Sequence, residues 1–146
     1  MSKYREYPER PFVGVGVVVL RGNEVLLIQR GKAPNKVQWS IPGGKQRLGE
    51  TIVQTVHREL LEETRVKIKQ PALLDVVDVI MPDDKGEIQY HYTLVDYQAE
   101  WLSGECRSGD DADAVKWVHF DELNSVGLLE ITRDIILKAF SNYAMK

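Results

Sequence analysis

With one cysteine, Cys106, this 146-residue chain cannot form an internal disulfide. Positive charge is not in excess either: 19 Lys and Arg stand against 22 Asp and Glu, a formal net charge of −3. A general nucleic-acid binder would carry a basic patch, so no nucleic-acid partner is expected. There is no apolar run long enough to span a membrane. The first residues, Met1 to Tyr7, lack the apolar core of a signal segment, so a soluble, cytoplasmic protein is expected. Repeats and low-complexity segments are missing, and the three histidines, His57, His91 and His119, show no metal-ligand spacing.

The chain does have enough apolar material for one core. Hydrophobic residues make up 43% of a chain of common domain size, which predicts a single domain over residues 1–146 with residues 1–11 as an N-terminal extension. Phe12 to Leu20, FVGVGVVVL, is the β-branched run of a strand buried on both faces, and Val25 to Gln29 pairs back on it. Residues 30–38 read as a polar loop. Ala72 to Met81 and Ile88 to Ala99 read as a strand pair around the turn Pro82 to Gly86, and Ala114 to His119 as a further strand. Leu128, Ile131, Ile135, Ile136, Ala139, Phe140 and Tyr143 recur at helical spacing, which predicts an amphipathic C-terminal helix. Strands interleaved with two helices, without a regular βαβ repeat, imply an α/β (α+β) fold with a mixed sheet between helices.

The chemistry concentrates in Gly44 to Val66, GKQRLGETIVQTVHRELLEETRV. A helix from about Thr51 to Thr64 places Glu59, Glu62 and Glu63 within an arc of about 100°. Ile52, Val53, Val56 and Leu60 form an apolar stripe beside them. Glu59 and Glu63 are a like-charge i,i+4 pair, which a bare helix disfavours by a few tenths of a kcal/mol. Either the face is solvated, with Arg58 and Arg65 as counterions, or it holds a cation. The preceding loop, Trp39-Ser40-Ile41-Pro42-Gly43-Gly44, can take positive φ or approach another group closely, and oxygen donors of this kind suit Mg²⁺ or Mn²⁺ shared with phosphates.

Gly44, five residues, Glu50, seven residues, then Arg58-Glu59-Leu60-Leu61-Glu62-Glu63-Thr64-Arg65-Val66 resembles the signature of the Nudix hydrolases. The resemblance implies an α/β/α sandwich and an enzyme that cleaves a nucleoside diphosphate linked to a further group. It implies that Glu59, Glu62 and Glu63 ligate Mg²⁺ or Mn²⁺ with the Gly43 carbonyl. By the same resemblance Arg58 orients a neighbouring glutamate, while Glu50 and Gly44 support the loop or a further ion. The general base comes from the helix, with Glu59 a candidate, or from the downstream acidic loop. There Asp111 is preferred over Asp110, Asp113 and Glu105. Two positions depart from the pattern: Arg65 and Val37 stand where glycine is usual. The first puts the helix's termination in question, because a left-handed residue with a Cβ costs roughly 1 kcal/mol.

Pro82, sixteen residues beyond Val66, resembles the spacing in ADP-ribose pyrophosphatases of that superfamily, so hydrolysis of ADP-ribose to AMP and ribose 5-phosphate is expected. The alternatives are a nucleoside triphosphate pyrophosphohydrolase of the mutator-protection type and a catalytically silent nucleotide sensor. No substrate-binding residue is assigned: Trp39, Tyr90, Tyr92, Trp101 and Trp117 read as core before base-stacking residues. Tyr4 to Pro11 is a candidate to pack on a partner subunit in a homodimer.

Overall fold

The computed structural model describes residues 6–29, 38–107 and 114–144. Eight strands and two helices follow in the order β1 (Phe12–Arg21), β2 (Glu24–Gln29), β3 (Trp39–Ser40), β4 (Gly43–Lys45), α1 (Ile52–Thr64), β5 (Lys67–Ile68), β6 (Ala72–Pro82), β7 (Ile88–Ser103), β8 (Ala114–His119) and α2 (Glu130–Ala144). A 3₁₀ turn, Phe120–Ser125, precedes α2, capped by His119, whose Nδ1 accepts from the Asp121 amide at 3.1 Å. The sheet runs β3-β2-β1-β7-β5, with β4 beside β1, β6 beside β7 and β8 beside β2. Among the described strands only the β1–β7 pair is parallel, so the sheet is mixed.

Alternation along β1 makes the layers. Val15, Val17 and Val19 face one way and pack with Val56 and Leu60 of α1. Val18 and Leu20 face the other way and pack with Ile135, Ile136, Ala139 and Phe140 of α2. A strand with period-two side chains and apolar residues at both parities must be covered twice. The expected α/β/α sandwich is the result. Among the described residues no helix is long and apolar enough to cross a membrane.

The structure adds short strands where the sequence shows only loop character. Gly43–Lys45 pairs antiparallel with β1, Gly16 opposite Gly43 and Val15 opposite Gly44, and the Val17 amide donates to the Pro42 carbonyl at 3.0 Å. The glycines are therefore used for close approach. Neither is among the positive-φ residues, and a Cβ on Gly43 would meet the Val15 carbonyl oxygen. Segments of two or three residues carry too little periodicity to be read from sequence. The described part of the N-terminal extension, from Glu6, lies on its own chain's β6–β7 hairpin: the Tyr7 amide donates to Gln89 O, its hydroxyl to Asp83, and the Tyr90 hydroxyl to Glu6.

Helix α1 begins at Thr51 in a capping box: Thr51 Oγ1 accepts from the Gln54 amide at 3.1 Å, and Gln54 Oε1 accepts from the Thr51 amide at 2.8 Å. It ends at Arg65, in the left-handed region at φ 67°, whose amide donates to Leu61 O at 3.0 Å. The expected left-handed cap is present without its glycine. Arg65 is exposed and forms no ion pair among the described residues. Arg65→Gly should therefore relieve backbone strain at little loss of contact, raising stability by about 0.5–1 kcal/mol, read as a higher urea midpoint at unchanged slope.

Candidate active site

The signature acids sit where β4 crosses the face of α1. Arg58 is at the centre, its side chain only 17% exposed. Its Nε donates to Glu50 Oε2 at 2.6 Å and its Nη2 to Glu50 Oε1 at 3.0 Å, a bidentate fork. Its Nη1 donates to Glu59 Oε1 at 2.7 Å and to Glu62 Oε1 at 2.9 Å, and Nη2 reaches the Lys45 carbonyl at 3.1 Å. One guanidinium thus ties the loop before the helix to two acids on it. A lysine cannot span this set, because it has no planar fork.

Glu50 also accepts from the Arg47 amide at 3.1 Å and the Thr55 hydroxyl at 2.7 Å. These donors, the Arg58 guanidinium first, hold its carboxyl down at about 2. The same pairing raises the Arg58 pKa further above its usual value. Glu50 therefore anchors the loop on Arg58, with both oxygens occupied by donors. Neither Thr55 nor the Lys45 carbonyl was legible in the sequence, since a buried threonine and a backbone acceptor carry no spacing signature.

Glu63 lies deeper, 1% exposed, and one oxygen accepts from the Gly43 amide at 2.9 Å. The Glu59 carboxylate presses on the backbone of Gly44: a Cβ there would stand 2.5 and 2.6 Å from its oxygens. Glycine at 44 is what lets β4 and the acid share that space. The acidic face is thus anchored rather than merely solvated, with Arg58, and not Arg65, paired to Glu59 and Glu62 among the described residues. Asp110, Asp111 and Asp113 lie outside the described residues, whereas Glu105 is exposed just past β7.

Three carboxylates, Glu50, Glu59 and Glu62, share one part-buried guanidinium, with Arg47 3.9 Å from Glu62 at the rim. Among the described residues negative charge stays in excess, and the side-chain donors that carry it are oxygens, which suit Mg²⁺ or Mn²⁺. Among the described residues the acids are not drawn into one cluster; each rests on the nearest donor. Like charges relax in this way, and Glu62, with a 37% exposed side chain, has room to turn. The residues present fit a divalent cation by charge, by donor type and by the close approach of the Glu59 carboxylate that glycine at 44 permits.

A family model of the NUDIX domain matches residues 10–140. The chain belongs to the Nudix hydrolases. It is 32% identical over 143 residues, 98% of this chain and 80% of the relative, to an ADP-ribose pyrophosphatase of Methanocaldococcus jannaschii. It is 34% identical over 116 residues, 77% of this chain and 76% of the relative, to a putative 8-oxo-dGTP diphosphatase 2 of Mycobacterium tuberculosis. The crystal structure of a MutT NUDIX hydrolase from Burkholderia pseudomallei superposes with a TM-score of 0.76 at 32% identity, over 89% of this chain and 98% of that one. The protein is accordingly an enzyme of the Nudix pyrophosphohydrolase family, whose members generally use divalent metals and act on small nucleotide substrates.

Asp96, in the middle of β7, belongs to no spacing pattern legible in the sequence. Burial pushes its carboxyl up to about 6, with the nearby Asp75 carboxylate adding to the effect. The aromatic residues have structural partners. Arg21 lies 4.0 Å from the Trp117 ring centroid and 5.5 Å from that of Trp101, Lys116 lies over Trp39, and Tyr92 packs on Phe12.

Proposed function

We propose that this Nudix hydrolase cleaves the pyrophosphate bond of ADP-ribose, giving AMP and ribose 5-phosphate, with Mg²⁺ or Mn²⁺ as cofactor. The similarity to the archaeal ADP-ribose pyrophosphatase carries the substrate assignment, because it extends over nearly the whole chain and not the signature alone. Glu59, Glu62, Glu63 and the Gly43 carbonyl are the proposed ligands. A bound divalent metal would supply a nucleophilic water and neutralise charge on the phosphate oxygens.

The chain's own residues do the rest. Arg58 positions Glu59 and Glu62 through its shared Nη1 and fixes the approach of the loop through Glu50. The Gly43 amide holds Glu63 against β4. A carboxylate takes the proton of the attacking water as its oxygen adds to phosphorus and the bridging oxygen leaves with the other phosphate. Asp111, or Glu59 on the helix, is the group we assign to that proton, Asp111 on its place in the sequence alone.

A second reading, hydrolysis of a nucleoside triphosphate to the monophosphate and pyrophosphate, is favoured by the resemblance to the mycobacterial putative 8-oxo-dGTP diphosphatase. A silent sensor is disfavoured because Glu59, Glu62 and Glu63 are all retained. Incubation with ADP-ribose, NADH, the nucleoside triphosphates and 8-oxo-dGTP in Mg²⁺, with products separated by chromatography, tests the three together. Equimolar AMP and ribose 5-phosphate, abolished by EDTA and restored by excess Mg²⁺, is expected. Pyrophosphate released from a triphosphate at higher kcat/KM would replace the assignment, and no product from any compound would make the chain a binder.

A further inference from the structure

Asp96 sits on β7 directly opposite Gly16 of β1, and Gly16 in turn pairs with Gly43 of β4. The three form one row across the sheet, so Asp96 lies about 10 Å, two strand spacings, from the residue that holds Glu63. Its carboxylate leans over β1 towards that loop. The point where a Cβ on Gly16 would lie is 2.7 Å from Asp96 Oδ1 and 2.9 Å from Ile41 Cδ1. Only glycine at 16 leaves room for this reach.

Asp96 has no hydrogen bond or ion pair among the described residues. Its neighbour across the β6–β7 pair, Asp75, takes the nearby cation, Lys138 of α2, at 3.4 Å. Leaving a largely buried carboxylate without a donor is costly, and an apolar residue would suit the fold better. The oxygens are nevertheless not sealed, since no fully buried side-chain polar atom lacks a partner. An accessible acceptor beside Ile41, one row from the loop that holds the acids, is free to receive a donor from a ligand.

The geometry points to Asp96 as a specificity residue that accepts a hydrogen bond from the amino group of the substrate's nucleobase. This rests on the nucleotide-hydrolase reading above, and it adds which part of the nucleotide the sheet reads. An amino-bearing base offers the donor that Asp96 lacks, whereas hypoxanthine presents a carbonyl oxygen at the same place and would meet the carboxylate as acceptor against acceptor.

Binding of AMP and IMP, neither of which contains a pyrophosphate bond, tests this without requiring turnover. By calorimetry in Mg²⁺ the wild-type protein should bind AMP at least about tenfold more tightly than IMP, since the mismatched base leaves two acceptors facing each other without a donor. In Asp96→Asn, whose amide both donates and accepts, that ratio should fall below about threefold. The melting temperature should not drop, because no native partner is lost. With ADP-ribose and its inosine counterpart the same variant should change the ratio of KM values. Equal binding of AMP and IMP by the wild type, or a ratio unchanged by Asp96→Asn, would overturn the assignment; so would a uniform loss of affinity for both. Discrimination without hydrolysis of any substrate would uphold this inference and overturn the catalytic reading.

Discussion

Glu62→Gln and Glu63→Gln should each lower kcat on the order of 10²–10³-fold while leaving the fold intact, the scale seen when one preorganised charge-stabilising group is removed. Glutamine keeps the shape and an acceptor oxygen, so the bonds from Arg58 Nη1 to residue 62 and from the Gly43 amide to residue 63 can persist. What disappears is one negative charge from a site whose proposed cation is held by charge. Glu62 is more than a third exposed, and the melting temperature of its variant should stay near wild type. Steady-state kinetics over a Mg²⁺ titration, beside a thermal melt, separate the two effects. Activity within threefold of wild type at saturating Mg²⁺ would remove both acids from the metal site.

Arg58→Ala should be more damaging still, because it fails in stability and in chemistry together. It strands Glu50, Glu59 and Glu62, two of them with side chains less than 15% exposed. Removing one member of a buried ion pair costs about 3–5 kcal/mol; the lower figure, about 3 kcal/mol, applies here because Glu62 keeps contact with water. Arg58→Lys should not recover activity, since an ammonium cannot make the fork to Glu50 while also reaching Glu59 and Glu62. The pH dependence has a definite sign. Glu50 is lowered from 4.5 to about 2, so the stability it contributes is complete above its unfolded value and is lost as pH falls through the folded one. Without Arg58 the folded value rises back towards 4.5, so this contribution shrinks and stability should fall less steeply between pH 4.5 and 2, which acid-unfolding curves of the variant and the wild type would reveal. Acid limbs of equal slope would show that Arg58 does not set the ionisation of Glu50.

Much of the fold was legible because it follows from periodicity. The β-branched run in β1, the apolar stripes of α1 and α2 and the turn at Pro82 to Gly86 each announce an element by local pattern. The strand Ala114–His119 appears as read, and α1 ends at Thr64 as expected. The misses are short. Trp39–Ser40, Gly43–Lys45 and Lys67–Ile68 are strands because β1, β2 and β7 offer them partners, and no local pattern encodes a partner.

The spacing of Gly44, Glu50, Arg58, Glu59, Glu62 and Glu63 by itself determined the family and the acidic face, since helical geometry turns fixed intervals into shared direction. Only the tertiary structure decided how those residues divide the work. It put Arg58 between loop and helix, turned the paired glycines into a strand that fits against Val15 and Glu59, and let an arginine serve as the left-handed cap. It also brought Asp96, 53 residues beyond Gly43, into the same row of the sheet. A helix face is a property of intervals along the chain. A row across a sheet is a property of which strands pair, which is fixed when the whole core packs.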